Sequence, residues 1–297
     1  MAEPAAVGAR DPSPALRGIA LMAFGFFCFS VSDLLAKILT QTLPPLQVSW
    51  IRQLGLLAGV LVVLARHGPR ILRTRRPILQ LGRGLAAVTT SAGFVVAIAY
   101  VPLADAVAVG FATPFIVTVL AALLLHERIG PHRWAAVGVG FVGMLMVIRP
   151  GGGVFHPAIL LVLVAATAFA VRQILSRFLS SADPLPTTIA WTGLTASLLL
   201  TLTLPWIWVT PGGGATLAIA FGTAASAGLA EMSLMRALDR TPAAIVAPMQ
   251  YTVIVWASLF GGLFFHQLPD GWTVAGSAVI VASGLYTVWR ETRAARA

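Results

Sequence analysis

Charged residues are scarce in this sequence, since they make up 10% of its 297 residues, while hydrophobic residues make up 58%. A soluble domain usually carries about 25% charged residues, which keep its surface compatible with water. The mean hydropathy of +0.89 points the same way. The low charge therefore argues against an ordinary water-soluble protein and indicates a chain whose solvent is the lipid bilayer.

Cysteine is almost absent as well, because Cys28 is the only one. A single cysteine excludes a disulfide framework, a cysteine zinc cluster and a redox pair within one chain. The five histidines have no metal-binding spacing, and no glycine-rich phosphate loop precedes a lysine. We therefore expect no enzyme, no catalytic residue, no metal and no cofactor, and we expect no ATPase subunit to drive the protein.

Apolar runs follow one another at a regular spacing along the chain, each near the roughly 20 residues that cross a hydrocarbon core. We expect an all-α integral membrane protein with ten transmembrane helices in the lipid bilayer. The predicted spans are 17–39, 45–65, 79–100, 104–125, 132–149, 157–179, 186–208, 214–237, 242–265 and 271–289.

The basic residues alternate between the two sides of these spans. With the N-terminus inside, the inner segments, among which we count Arg83, hold sixteen arginines, and the outer loops hold only Arg149. This asymmetry predicts cytoplasmic N- and C-termini. It also accounts for the net charge of +10, so we expect no nucleic-acid partner. Because nineteen of the twenty basic residues are arginine, a GC-rich bacterial genome is indicated, and we expect the bacterial cytoplasmic (inner) membrane.

The two halves of the chain repeat one another. Ala99–Glu127 aligns without a gap on Leu238–His266 at a shift of 139 positions. Phe29, Asp33 and Lys37 match Phe169, Gln173 and Arg177 at a shift of 140, and Trp50 matches Trp191 at 141. Five spans per copy is an odd number, so the second copy enters the membrane from the opposite side. We expect two inverted five-helix repeats, residues 17–149 and 157–290, with cytoplasmic tails at 1–16 and 291–297, an architecture common among secondary transporters.

Several features together resemble the EamA family of the drug/metabolite transporter superfamily. They are the polar break before span four, its internal Pro114, the closing Leu-Leu-Leu-His-Glu and the glycine-rich fifth span. Arg52 in Trp-Ile-Arg-Gln resembles an arginine that is habitual there. Within the family the chain looks most like amino acid exporters of the YddG type, with riboflavin and S-adenosylmethionine carriers as close alternatives. The second repeat departs from the pattern, because His266 stands where the closing glutamate is expected and Val253 matches Pro114.

A substrate cavity is expected near the midplane between the repeats. Pro114 and Pro248 free backbone carbonyls in spans four and nine, where irregular backbone can line a water-filled cavity. The candidate lining residues are Phe111, Thr113, Pro114, Gln250, Tyr251, Thr252, Trp256, Trp50 and Trp191. The alternative for each is ordinary helix packing or contact with lipid.

Charged side chains inside spans are costly, so each is a candidate for function. Depth along the helices places Asp33 near Arg52, and Arg172 near Glu231. These pairs are candidates for gating or for binding a zwitterionic substrate, and the alternative is static pairing between helices. Lys37, at the end of its span, is expected to extend to the membrane interface.

These observations predict a secondary transporter of small metabolites. Amino acid export by alternating access is the leading interpretation, and Asp33 or Glu231 is a possible proton site. Riboflavin or S-adenosylmethionine transport is the alternative within the same class. A channel is the alternative of a different class, against which the lack of a polar stripe counts.

Overall fold

The structure, a computed structural model, describes residues 14–126, 130–149, 156–241 and 243–294, and every regular element within these ranges is helical. The α-helices are α1 (Pro14–Leu39), α2 (Pro45–His67), α3 (Pro77–Ile98), α4 (Leu103–Gly110), α5 (Thr113–Leu124), α6 (Pro131–Ile148), α7 (Ile159–Ser180), α8 (Leu185–Ile207), α9 (Gly213–Leu238), α10 (Ala243–Val246), α11 (Thr252–Phe265) and α12 (Gly271–Ala294). Short 3-10 turns cover Pro69–Leu72 and Ala247–Tyr251.

Ten apolar spans cross the bundle in the described chain, as the sequence predicts. Eight spans are single helices, whereas α4 and α5 share the fourth span, and the second 3-10 turn and α11 share the ninth. Helices α2, α3 and α6 begin at a proline, whose fixed φ suits the first helical turn, where no hydrogen bond is lost. Glu127 and the glycines at 151–153 lie outside the described residues.

The outer surface of the bundle is apolar. Trp206, Ile78 and Phe221 are 82%, 81% and 76% exposed, and many other large apolar side chains also point outward. Water would penalise such a surface, whereas lipid tails would not. The protein is therefore a multi-pass membrane protein.

The two repeats pack in equivalent ways. Helix α1 of the first repeat packs along α9 of the second, and α7, the counterpart of α1, packs along α3, the counterpart of α9. In the same manner, α2 packs on α9 and α8 packs on α3. Helices α6 and α12, the last of each repeat, pack on one another. This exchange of partners fits the predicted two-repeat arrangement.

Glycines allow the closest helix approaches. A Cβ placed on Gly55 of α2 would lie 1.7 Å from the carbonyl oxygen of Ala224 in α9. In α6 and α12, Gly143 and Gly276 face each other, with an added Cβ lying 2.9 Å and 2.6 Å from the opposing carbonyl oxygen. Small residues at such contacts let the helix backbones approach one another where no hydrophobic force drives packing in lipid.

Candidate functional site

A cavity of ≈ 910 Å³ lies between the two repeats. We call the end of the bundle where α1 begins and α2 ends the arginine-rich end, since Arg66, Arg133, Arg177 and Arg236 line the cavity there. The wall runs from the middle of the bundle to this end. It includes residues from both repeats, as a site between the repeats requires.

The opposite end of the bundle is filled by apolar side chains. Leu39, Ile98, Leu103 and Ile159 are buried together there, at the ends of four different spans. Such a packed core leaves no water-filled path. The cavity is thus closed at one end and reaches toward the other.

Polar contacts reinforce the closed end. Lys37 Nζ donates a hydrogen bond of 2.6 Å to the carbonyl oxygen of Val101, and Thr273 Oγ1 donates one of 2.8 Å to Asp105. Arg149 forms a salt bridge with Asp270. The expectation that Lys37 extends to the membrane interface is wrong, because its side chain is buried and uses this carbonyl instead of interfacial water.

The fourth and ninth spans are interrupted where they meet the cavity. Thr113 Oγ1 donates a 2.8 Å hydrogen bond to the carbonyl oxygen of Gly110, which cannot bond to the nitrogen of Pro114 four residues later. At the equivalent position, Thr252 Oγ1 donates 2.7 Å to the carbonyl oxygen of Met249. The hydroxyls therefore satisfy backbone carbonyls at both breaks, which lipid alone could not do.

The two breaks meet across the cavity through aromatic rings. Phe111 stacks on Tyr251, with ring centroids 5.1 Å apart and an interplanar angle of 29°. Gly284 of α12 leaves room for Tyr251, since an added Cβ there would lie 1.7 Å from the phenol oxygen. The stacked pair links span four to span nine at the boundary between the repeats.

Five of the nine predicted lining residues lie in the cavity wall, namely Phe111, Thr113, Pro114, Gln250 and Tyr251. The other four lie elsewhere. Thr252 is turned to its own helix break, as described above. Trp256 packs on Phe27, with centroids 4.9 Å apart, because α11 presents this face to α1.

The two symmetry-related tryptophans both lie away from the cavity. Trp50 Nε1 donates a 2.9 Å hydrogen bond to Thr201 of α8. Trp191 Nε1 donates one of 2.9 Å to the carbonyl oxygen of Leu72. Each indole N–H thus has a hydrogen-bond partner at an end of the bundle. They connect neighbouring segments and do not form cavity wall.

Asp33 and Arg52 lie together in the cavity wall. Arg52 donates a 2.5 Å hydrogen bond to the Asp33 carboxylate, and the two side chains are only 14% and 9% exposed. The Arg52 guanidinium also lies over the ring of Phe29, 5.6 Å from its centroid. The charge of Arg52 is therefore compensated within its own repeat.

Arg172 and Glu231 both line the cavity but do not form a direct ion pair, although they interact electrostatically. Arg52–Asp33 and Arg149–Asp270 are salt bridges within 4.0 Å at the cavity and at its closed end. Arg172 instead lies over the ring of Phe169, 4.4 Å from its centroid. Static pairing of Arg172 with Glu231 is thus wrong in this conformation, because the phenyl ring holds the guanidinium.

Arg83 is a cavity residue that the sequence reasoning missed, since it counted Arg83 among the inner loop arginines. It lies within α3, where its Nε donates a 2.8 Å hydrogen bond to Ser176 and its guanidinium also bonds to Thr192. It interacts electrostatically with Arg172 and Glu231. Its position six residues inside an apolar helix was the available signal, because a charge at that depth requires partners.

Comparison with known proteins decides the family. The model of the EamA-like transporter family matches residues 16–149 and again residues 156–289. The chain belongs to the EamA-like transporter family. The double match agrees with the two repeats, and it makes the protein a membrane transporter and not an enzyme.

Named relatives of this EamA-like protein are also transporters. An S-adenosylmethionine uptake transporter of Rickettsia felis is 25% identical over 279 residues, covering 94% of this chain and 95% of that protein. A riboflavin transporter of Rhizobium johnstonii is 28% identical over 293 residues, covering 96% and 95%. The pseudopaline exporter CntI of Pseudomonas aeruginosa is 29% identical over 274 residues, covering 90% and 94%.

A solved crystal structure shares the fold. It superposes with a TM-score of 0.62 at 20% identity and covers 91% of this chain and 98% of its own. None of the named relatives described above is an amino acid exporter. Their substrates match the alternative interpretation of the sequence better than the amino acid interpretation.

Proposed function

We propose that this EamA-like protein is a secondary carrier that moves a small organic metabolite across the bacterial cytoplasmic membrane by alternating access. The observation that carries the proposal is the cavity between the repeats, closed at one end by packed side chains and reaching the arginine-rich end. Broken helices at the centre of an inverted repeat are the usual place for a transporter's substrate. Rocking of one repeat against the other would open the closed end and close the arginine-rich end.

The arginine-rich end is proposed to face the cytoplasm. Arginines in short loops remain on the cytoplasmic side during membrane insertion. With this orientation, both termini are cytoplasmic and the cavity opens inward. A carrier in this state is ready to bind a cytoplasmic substrate for export or to release an imported one.

The substrate is proposed to be a metabolite of the class that the relatives carry, ahead of a free amino acid. Three relatives are named for S-adenosylmethionine, riboflavin and pseudopaline. The cavity volume of ≈ 910 Å³ also lies near the upper end of ligand pockets, which span about 300–1,000 Å³. Its aromatic residues Phe111, Tyr251 and Phe169 offer flat apolar surface. These features support a ligand of cofactor size.

Flux measurements in proteoliposomes test this proposal. Purified protein is reconstituted, and uptake of labelled riboflavin, S-adenosylmethionine and amino acids is measured with and without unlabelled compound inside the vesicles. Saturable uptake that is accelerated by internal substrate is expected of a carrier. Unsaturable flux without such counterflow would instead favour a channel. Flux of amino acids alone would restore the amino acid interpretation.

Proton coupling is tested in the same vesicles. Glu231 lines the cavity, and the described structure gives its carboxylate no salt bridge within 4.0 Å, so we propose it, ahead of the paired Asp33, as the proton site. An imposed pH gradient is expected to change the uptake of wild-type protein, and Glu231→Gln is expected to remove this response. Uptake that is unchanged by the pH gradient would indicate facilitated diffusion without proton coupling.

A further inference from the structure

Two arginines in the cavity wall, Arg52 of α2 and Arg172 of α7, each lie over a phenylalanine ring, although the arginines themselves are not equivalent in the repeats. Arg52 lies over Phe29, and Arg172 lies over Phe169, with distances to the ring centroids of 5.6 Å and 4.4 Å. The two phenylalanines are equivalent in the repeats, since they lie 140 positions apart. Each repeat thus presents one guanidinium stacked on the same phenylalanine.

The two arginines differ in the negative charge that compensates them. Asp33, four residues after Phe29, binds Arg52 directly. Its counterpart four residues after Phe169 is Gln173, which carries no charge. The Nε of Arg172 is buried and has no hydrogen-bond partner among the described residues. The second repeat therefore places a cation over its phenylalanine but has no acidic residue at the position equivalent to Asp33.

The surroundings of Arg172 do not replace that anion. Arg83, held by Ser176 and Thr192, adds a second fixed positive charge, and Glu231 supplies one negative charge. These three residues together keep an excess of one positive charge. Among the described residues that line the cavity, seven are arginines and two are acidic. A buried arginine without a nearby anion destabilises the protein, because its charge has lost water and gained no partner. A ligand that supplies an anion removes this destabilisation.

We propose that the substrate is an organic acid whose carboxylate binds Arg172, as the carboxylate of Asp33 binds Arg52. A guanidinium offers two parallel N–H donors that match the two oxygens of a carboxylate. The phenyl ring of Phe169 orients the guanidinium, and Arg83 adds attraction for the same anion. This inference rests on the proposed carrier function and narrows its substrate class to metabolites with a carboxylate.

Matched acids and amides test the proposal by binding alone. Purified protein in detergent is titrated with nicotinate and nicotinamide, and with tryptophan and tryptophanamide, while thermal stabilisation is recorded. Each acid is expected to bind at least about tenfold more tightly than its amide, as one charged hydrogen-bonded pair allows. Arg172→Gln is expected to abolish that preference, and Arg172→Lys to retain part of it. Arg290→Gln, which removes an exposed arginine outside the cavity, is the control and should leave the preference unchanged.

A second pair of variants tests the charge argument directly. Gln173→Asp adds a carboxylate to the cavity wall at the position equivalent to Asp33 and is expected to weaken binding of both acids by about tenfold or more. Gln173→Asn shortens the side chain equally without adding charge, so the difference between the two variants isolates the charge. Equal weakening by both would contradict the proposal.

The outcomes separate this inference from the carrier function. Equal binding of acids and amides, or no binding of either acid, would overturn the carboxylate site. Flux of uncharged riboflavin in proteoliposomes would then still support the carrier. Conversely, acids that bind in an Arg172-dependent manner but show no saturable flux would contradict the carrier function and leave the carboxylate site standing.

Discussion

The stacked rings of Phe111 and Tyr251 join the two helix breaks of the protein, 5.1 Å apart between centroids. Phe111 lies between α4 and α5, and Tyr251 ends the 3-10 turn before α11. Because both breaks lie in the cavity wall, movement of one repeat against the other must change this contact. We therefore expect the contact between the two rings to depend both on bound substrate and on the conformation of the carrier.

Replacing Phe111 tests this role. Phe111→Ala removes a stacking contact within the protein worth about 0.5–1.5 kcal/mol, which lowers the population of the conformation that holds this contact by about two- to tenfold relative to the other. We expect the half-saturating substrate concentration for flux to rise by about that factor. Phe141→Ala, which removes a lipid-facing ring of α6 that is 52% exposed, is the control. Equal effects of the two variants would show that the stacking has no special role.

The Asp33–Arg52 pair is expected to matter for stability. Asp33→Asn leaves Arg52 buried without its anion, and such losses cost about 3–5 kcal/mol in protein interiors. We expect a value near the lower limit, about 3 kcal/mol, since the pair borders the cavity. The measurement is the free energy of unfolding in mixed detergent micelles.

The double variant Asp33→Asn/Arg52→Gln completes the cycle for this pair. It is expected to be more stable than the sum of the single variants predicts, because neither charge is left alone. Strict additivity of the two losses would mean that the contact contributes nothing.

Gly55 lies at a close contact between α2 and α9, and Gly59 in the same helix has no such contact and serves as the control. Gly55→Ala places a Cβ 1.7 Å from the Ala224 carbonyl oxygen, so α2 and α9 must separate. Overpacking of this kind costs about 1–3 kcal/mol. Gly59→Ala meets nothing within 4 Å and should leave the melting temperature in detergent unchanged or higher. Similar losses for both variants would argue against a close α2–α9 contact.

The closed end has a pH dependence that follows from Asp270, which lies outside the spans. The hydrogen bond from Arg149 lowers the pKa of Asp270 below its ordinary value of 3.8, and a hydrogen bond from the Thr273 backbone N–H acts in the same direction. A lowered pKa means stability that is present above pH 3.8 and is lost as the pH falls through the folded-state pKa.

Melting temperatures of wild-type protein and Asp270→Asn test this dependence between pH 7 and pH 3. The difference between them should stay constant from pH 7 to about pH 5 and shrink below about pH 4. Asp239→Asn, which removes an exposed carboxylate elsewhere, controls for general charge effects. A difference that changes mainly between pH 5 and pH 7 would contradict the assignment to Asp270.

Hydropathy and the internal repeat were sufficient to predict the helical class, the ten spans and the two-repeat arrangement. These features depend on local composition, which a single sequence displays directly. Asp33 and Arg52 could also be placed together, because their depths along two neighbouring helices follow from the helical rise. The interruption of span four could be expected from Pro114, which removes a backbone donor.

Side-chain direction within a span could not be predicted in the same way. Trp50 and Trp256 lie at suitable positions along their helices, but their rings turn toward α8 and α1. The direction depends on how each helix is rotated by its neighbours, which the sequence pattern does not encode. Lys37 and Arg83 were misplaced for a related reason, since each is held by a partner distant in sequence.

A disulfide lock across the closed end tests alternating access most directly. Asp105 and Thr273 are joined there by a 2.8 Å hydrogen bond, and Cys28 is the only native cysteine. Asp105→Cys/Thr273→Cys in a Cys28→Ser background is reconstituted, and counterflow of the metabolite found in the flux screen is measured before oxidation, after oxidation and after reduction. We predict that oxidation stops counterflow and that reduction restores it, while each single cysteine variant is insensitive. Undiminished counterflow through fully cross-linked protein would contradict alternating access.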